Sequence, residues 1–313
     1  MFVQRGCRMA DRVEITLLVD NYTDIFLPSK EYVSYPTPGD GSRLRGEQGL
    51  SLWIEITEQK DILRILYDFG RSGAILLHNA RQLGIDIGLA DFMVLSHAHG
   101  DHYGGFSKAL TYAKESCRVV LHPTACGIRR FIKFGERVVG PWGIKKSLLA
   151  KLQSRIVLSG GLTSLGQGAY VSGEIERRTA FEKGMPNAFL EEKGTLVRDP
   201  ISDDQALIIE LSGKGLVVIT GCAHAGVVNT LLHTQRLFPG HNIFALFGGF
   251  HLNNADEEQM RETVRHIAEA HVSYLAGFHC TGYYAQKVLM DHFGERWIPG
   301  AVGARITLKA MGA

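Results

Sequence analysis

Short hydrophobic runs separated by polar turns set the rhythm of this chain, and they predict strand hairpins first and strand–helix alternation after, in each half. Val13–Val19 is largely apolar with β-branched residues, which predicts a buried strand. Leu50–Ile56 and Ile62–Tyr67 flank the polar stretch Glu58-Gln59-Lys60-Asp61 and read as a hairpin. Residues 28–49 are rich in proline, glycine, serine and charge and read as a long loop. From 72 to 84 the spacing turns helical, with Ile75, Leu76, Ala80 and Leu83 on one face and Gly84 as a stop. Phe92–Leu95 then reads as a strand, Phe106–Lys114 as a helix and Arg118–Leu121 as a short strand. Residues 124–200 hold many glycines and basic residues, with apolar segments near 154–158 and 168–175, and predict a lid-like insertion of short strands. Regular alternation resumes with a second hairpin, Gln205–Leu211 and Gly215–Thr220. A helix near Gly226–Leu237, a strand at Ile243–Phe247 and a helix at Asp256–Ala270 follow. Ser273–Gly277 is a strand, Tyr284–Phe293 a helix, and Ala304–Lys309 a last edge strand. Periodicity alone therefore gives an α/β protein with mixed sheets.

A chain of 313 residues can bury a large core as one domain or two. No low-complexity tract or Gly/Ser linker separates the halves, so the expectation is one domain over 13–313, with residues 1–12 a flexible extension and about 124–200 inserted into it. The net charge of +2 sets up no global field for nucleic acid or acidic membranes. No apolar stretch reaches bilayer-spanning length, and the first twelve residues lack the apolar core of a signal peptide. The five cysteines, an odd number in a large chain, argue for a reducing compartment, by default the cytoplasm. The oligomeric state is left open.

The chemistry concentrates in residues 97–102, His-Ala-His-Gly-Asp-His, directly after the strand Phe92–Leu95. Imidazole nitrogens and a carboxylate suit zinc, iron and manganese. In an extended segment side chains two apart share a face, so His97, His99 and Asp101 are expected together, with His102 beside them. Three later strands each end in a histidine with glycine nearby. These are Gly221-Cys222-Ala223-His224 after Leu216–Ile219, Gly249-Phe250-His251 after Ile243–Phe247, and His279-Cys280-Thr281-Gly282 after Ser273–Gly277. Ligands collect at the carboxyl ends of strands in sheets with helical crossovers, so these groups are expected in one pocket. The rival expectation is a structural zinc site of Cys222, His224, His279 and Cys280, whose pairs are spaced more tightly than such sites usually are.

The pattern His-x-His-x-Asp-His after a hydrophobic strand resembles the signature of the metallo-β-lactamase superfamily. Val19-Asp20-Asn21, Leu95-Ser96-His97, Thr220–Gly226, Gly249–Leu252 and His279–Gly282 are similar to one subgroup of it, described by likeness to an archaeal enzyme of methanopterin synthesis. The resemblance implies a four-layer αβ/βα sandwich. It implies two divalent metals, zinc first, with manganese, iron or magnesium as alternatives. His97, His99 and His224 would hold one ion, and Asp101, His102 and His279 the other. Asp101 would orient or deprotonate a water, and His251 would be an acid or substrate contact, with His251 and His279 able to exchange roles. Asp68 is expected behind a ligand histidine. Gly221-Cys222 stands where most superfamily enzymes have Gly-Asp, which leaves three alternatives: a Cys222 thiolate in the bridging place, a looser site, or a mononuclear one; Asp68-Phe69-Gly70 stands where the subgroup often has Asp-Thr-Gly. The resemblance implies a hydrolase acting on an anionic, phosphate- or diphosphate-bearing small molecule. The alternative is a transferase joining a dihydropterin diphosphate to an aryl-amine ribose phosphate. A di-iron redox protein and a non-catalytic metal-binding protein rank lower. Arg129, Arg130, Lys133, Lys145 and Lys146 are candidate phosphate contacts, against a solvated basic face.

Overall fold

The computed structural model describes residues 9–37, 39 and 43–311. The first half carries β1 (Arg12–Val19), β2 (Val33–Ser34), β3 (Ser51–Glu58), β4 (Asp61–Tyr67), β5 (Phe92–Val94) and β6 (Arg118–Leu121), with helices α1 (Gly73–Gln82), α2 (Gly100–Tyr103) and α3 (Phe106–Leu110). The middle holds β7 (Arg130–Phe134), β8 (Arg137–Trp142), α4 (Lys146–Leu152), β9 (Ile156–Leu158), β10 (Thr163–Gly166), β11 (Ala169–Val171), β12 (Ala188–Glu192) and β13 (Thr195–Arg198). The second half holds β14 (Leu207–Leu211), β15 (Gly215–Thr220), α5 (Val227–Leu237), β16 (Ile243–Gly249), α6 (Glu257–Glu269), β17 (Tyr274–Phe278), α7 (Tyr283–Phe293) and β18 (Arg305–Lys309).

These strands form an eight-stranded sheet, β2-β18-β1-β3-β4-β5-β6-β9, and a six-stranded sheet, β10-β11-β14-β15-β16-β17. Side-chain alternation decides how they stack. In β4, Ile65 and Tyr67 enter the core between the sheets, while Leu66 turns outward to Leu76 and Ala80 of α1. In β15, Val217 and Ile219 face inward, and Leu216 and Val218 turn out to Val228 and Leu231 of α5. Each sheet is thus apolar on both faces. Helices cover the outer ones, giving the α/β/β/α sandwich of the metallo-β-lactamase type.

Several details differ from the sequence reading. The 124–200 segment does not form a single lid. Leu165, Ala169 and Val171 are buried between the main sheets, so β10 and β11 extend the second sheet, while β9 extends the first beside β6. Only β13-β12-β7-β8 form a sheet of their own. β18 is not an edge strand, because the two-residue β2 pairs on its outer side. Of the expected N-terminal extension, residues 1–8 lie outside the described residues. Ala10 is buried, and its N–H donates to the Glu210 carbonyl at 2.9 Å.

Candidate metal centre

The pairs β4-β5-β6 and β15-β16-β17 are parallel, so their carboxyl ends open at one end of the sandwich. There the 97–102 loop after β5 meets Cys222 and His224 after β15, His251 after β16 and His279 after β17. The close approach needs glycine. A Cβ on Gly221 would sit 2.0 Å from Ser96 Oγ, and one on Gly249 would sit 2.4 Å from the Gly221 carbonyl. Asp68, Ala223, His251 and His279 adopt left-handed backbone, with φ of 57, 52, 46 and 47°. Four non-glycine residues in that sparsely populated region persist only where surrounding contacts over-determine them, a feature that clusters at functional sites.

His97 Nε2, His99 Nδ1 and His224 Nε2 form a triangle with sides of 3.1, 3.0 and 3.1 Å. An ion at the usual ~2.0–2.1 Å from three imidazole nitrogens in tetrahedral geometry sets them roughly 3.3 Å apart. The donor set therefore fits a divalent ion. The expectation that Asp101 shares the His97–His99 face does not hold, because Gly100–Tyr103 is a helical turn with His99 at its N-cap. The turn swings Asp101 away, and its Oδ2 lies 3.3 Å from His279 Nε2. His102, Cys222 and His279 form a second group of converging donors, with Cys222 Sγ 3.0 Å from His102 Nε2. Cys222 also groups with His97 and His224, and with His251 and Cys280. The rival zinc set does not gather as one group among the described residues, since His224 falls with His97 and His279 with His102.

Hydrogen bonds behind the histidines fix which nitrogen faces the centre. Ser96 Oγ donates to Asp68 Oδ2 at 2.7 Å, so it accepts from His97 Nδ1 at 2.9 Å and leaves a lone pair on His97 Nε2. His102 Nδ1 donates to Asp68 Oδ2 at 2.6 Å, which frees its Nε2. Asn21 donates its Nδ2 to the His279 carbonyl at 3.1 Å, so its Oδ1 accepts from His279 Nδ1 at 3.0 Å. Asp20 Oδ1 accepts the His279 N–H at 2.8 Å. Asp68 thus takes the expected place behind a histidine. The part of Asn21 in aiming His279 was not evident in the sequence, where it stood only as one letter of a resembling tripeptide.

Electrostatics sort these histidines into two kinds. Burial, then the charges of neighbouring histidines, holds His97 and His224 well below the ordinary value; burial likewise takes His99 to about 3. Those three present lone pairs, as a metal requires. Burial alone would also lower His102, but the Asp68 carboxylate raises it to about 9. Burial pushes Asp101 upward, yet the neighbouring imidazoles of His279 and His102 hold its carboxyl far below the usual range. Asp68→Asn, which keeps the shape and removes the charge, is therefore expected to cost ~10–100-fold in metal affinity. Competition with a chelator measures this, and an unchanged affinity would show that His102 does not depend on Asp68.

His251 packs against His224 with ring centroids 4.4 Å apart and the rings tilted by 55°, and it lines the same cleft. The cleft lobe lined by His99, Asp101, Cys222, His224 and His279 is about 680 Å³ and also exposes Asn253, Asn187 and Lys183. Of the candidate basic residues, Arg130 is buried and ion-paired with Asp199 and Asp203 at 2.7 and 2.6 Å, so it is no substrate arm. Arg129 pairs with Glu191 at 2.6 Å, and Lys133 lies 4.1 Å over the Phe189 ring. Lys145 and Lys146 begin α4 and do not line the lobe. Asp203, missed in the sequence, accepts the Ala98 N–H at 2.8 Å and so braces the loop between His97 and His99. Its only signal was the acidic pair Asp203-Asp204 just before β14.

No family model matches the chain. It is 29% identical over 283 residues, 88% of its length and 93% of the relative's, to the 7,8-dihydropterin-6-methyl-4-(β-D-ribofuranosyl)-aminobenzene-5′-phosphate synthase of Methanocaldococcus jannaschii. An uncharacterised protein of the same archaeon is 29% identical over 240 residues, 76% of this chain and 86% of that one. The crystal structure of a metal-dependent hydrolase of the β-lactamase superfamily superposes with a TM-score of 0.73 and 26% identity, covering 95% of this chain and 99% of that one. A metallo-β-lactamase fold protein of Bacillus subtilis superposes at 0.52 with 13% identity, over 95% of this chain and 100% of that one, a likeness of fold. The fold implies divalent metal binding. Among the described residues no helix is long and apolar enough to cross a membrane.

Proposed function

We propose that this chain, a metallo-β-lactamase-fold relative of a methanopterin-pathway synthase, is a metal-dependent hydrolase of a phosphate- or diphosphate-bearing small molecule. The observation that carries this reading is the convergence of His97, His99 and His224 beside His102, Cys222 and His279 at the floor of one cleft. His97, His99 and His224 would hold one divalent ion, and Asp101, His102 and His279 a second, with Cys222 between them. Such ions supply Lewis acidity and lower the pKa of a bound water towards neutrality. Asp101 has one oxygen against His279 and stands at the cleft wall, where it holds a water or takes its proton. His251, packed on His224 and facing the cleft, gives a proton to the leaving group. Lys183 is the one lysine or arginine lining this lobe among the described residues, and it suits an anionic group. The reading takes 13–313 as one domain.

A second reading, transfer to an aryl-amine acceptor, is favoured by the name of the synthase relative and by its near full-length match. One assay separates the two. The protein loaded with zinc or manganese is given a dihydropterin methyl diphosphate, with and without an aryl amine, and release of phosphate and diphosphate is followed. Release without acceptor is the expected result and means hydrolysis. Diphosphate release only with acceptor means transfer. No release from this or a panel of phosphodiesters, pyrophosphates, lactams and thioesters overturns both and leaves a non-catalytic metal-binding protein.

A further inference from the structure

Beside the larger lobe lies a second of about 460 Å³, and the two share Gln48, His99, Asp101, Ile132 and Phe134. Its lining differs in kind. Trp142 and Val139, which line only this lobe, come from the separate four-stranded sheet, and Tyr103 comes from the turn that carries Asp101. The indole of Trp142 rests on Gly100, where a Cβ would meet its Nε1 at 2.4 Å. That places an aromatic wall against the backbone between His99 and Asp101, with the Trp142 ring centroid 6.4 Å from that of His99. Arg71 stands on this lobe, exposed, and forms no ion pair among the described residues. Among the described residues only its backbone N–H is engaged, by Glu47 at 3.0 Å.

We propose that this lobe binds a planar aromatic ring bearing an anionic group, with the ring between Trp142 and Tyr103 and the anion at Arg71. An aromatic lining with one convergent charge is the general form of a small-molecule site. Tryptophan and tyrosine prefer a ring to an aliphatic group of similar bulk, through offset or edge-on contacts. A guanidinium without a protein partner takes a phosphate or carboxylate in paired hydrogen bonds. The ligand so placed sits next to Asp101 and His99, where it serves as the ring-bearing portion of the substrate or as a second reactant. The proposal rests on the enzymatic reading of the centre and adds what the second lobe takes.

The test uses the zinc-loaded full chain, titrated with phenyl phosphate, cyclohexyl phosphate and inorganic phosphate by calorimetry and tryptophan fluorescence. Trp53 and Trp297 are each only 4% exposed, so quenching on titration reports Trp142. Phenyl phosphate is expected to quench and to bind about tenfold more tightly than the other two. Trp142→Leu and Arg71→Met are each expected to lose about tenfold for phenyl phosphate at unchanged zinc content, and Trp142→Phe to keep most of the affinity. Equal affinity for the phenyl and cyclohexyl esters, no measurable binding, or binding lost in His97→Ala but untouched in both lobe variants would overturn the proposal. Wild-type protein that takes up no zinc yet binds phenyl phosphate through Trp142 would sink the metal reading and leave the lobe standing.

Discussion

His97→Ala is expected to lower the bound metal relative to the wild-type chain and to cut turnover by roughly a thousandfold or more, since a metal's stabilisation of developing charge is worth several kcal/mol and ~1.4 kcal/mol is a factor of ten. The reasoning runs through three atoms. His97 Nε2 is one corner of the nitrogen triangle, and the other corners, His99 Nδ1 and His224 Nε2, are 3.1 Å from it. His97 Nδ1 is committed to Ser96 Oγ, so the ring cannot turn to serve another purpose without breaking a buried hydrogen bond. Alanine there removes one donor of three and leaves His99 and His224 buried with nothing between them. Elemental analysis of purified protein, with circular dichroism to confirm folding, reads the result. Full metal content in a folded His97→Ala protein would refute the assignment.

The site was more legible in the sequence than the framework around it, for a physical reason. Candidate site residues of this chemistry are particular residue types at the ends of strands, so His97–His102, His224, His251 and His279 stand out against apolar runs even without knowing which strands are neighbours. The outer elements were readable too, because β4 and β15 place residues on alternate faces and α1 and α5 carry apolar stripes. How the two sheets stack came from the resemblance, since periodicity assigns faces and not their partners. The 124–200 segment was legible as short strands but not in their pairing, because Val171 or Val157 reads the same whether it joins a main sheet or a separate one. Asn21, Asp203 and Arg130 were hidden for a further reason. Their partners, His279, Ala98 and Asp199, lie far along the chain, and a lone polar residue carries no sign of a contact at that range.

That hidden network carries the second large expectation. Arg130→Met should destabilise the fold by about 3–5 kcal/mol, the range for removing one partner of a buried ion pair and stranding the other. Arg130 is 1% exposed, its Nε donates to Asp199 Oδ2 at 2.7 Å, and its Nη1 donates to Asp203 Oδ2 at 2.6 Å. Asp203 Oδ1 has no hydrogen-bond partner among the described residues, so without the guanidinium a buried carboxylate would be held chiefly by the Ala98 N–H on Oδ2. Arg130→Lys should not rescue, because a single ammonium cannot span two carboxylates as a planar fork does. The loss should be shared by the centre, since Ala98 sits between His97 and His99 and β7 carries Arg130 into this network from the sheet that also walls the cleft. Urea titration gives the stability, and chelator competition on the folded fraction gives the metal affinity. A midpoint shift worth under ~1 kcal/mol would show that water or neighbouring donors satisfy Asp199 and Asp203. A large stability loss with unchanged metal affinity would confine Arg130 to joining the small sheet to the sandwich. Weakening of both would make the separate sheet a working part of the metal-binding loop.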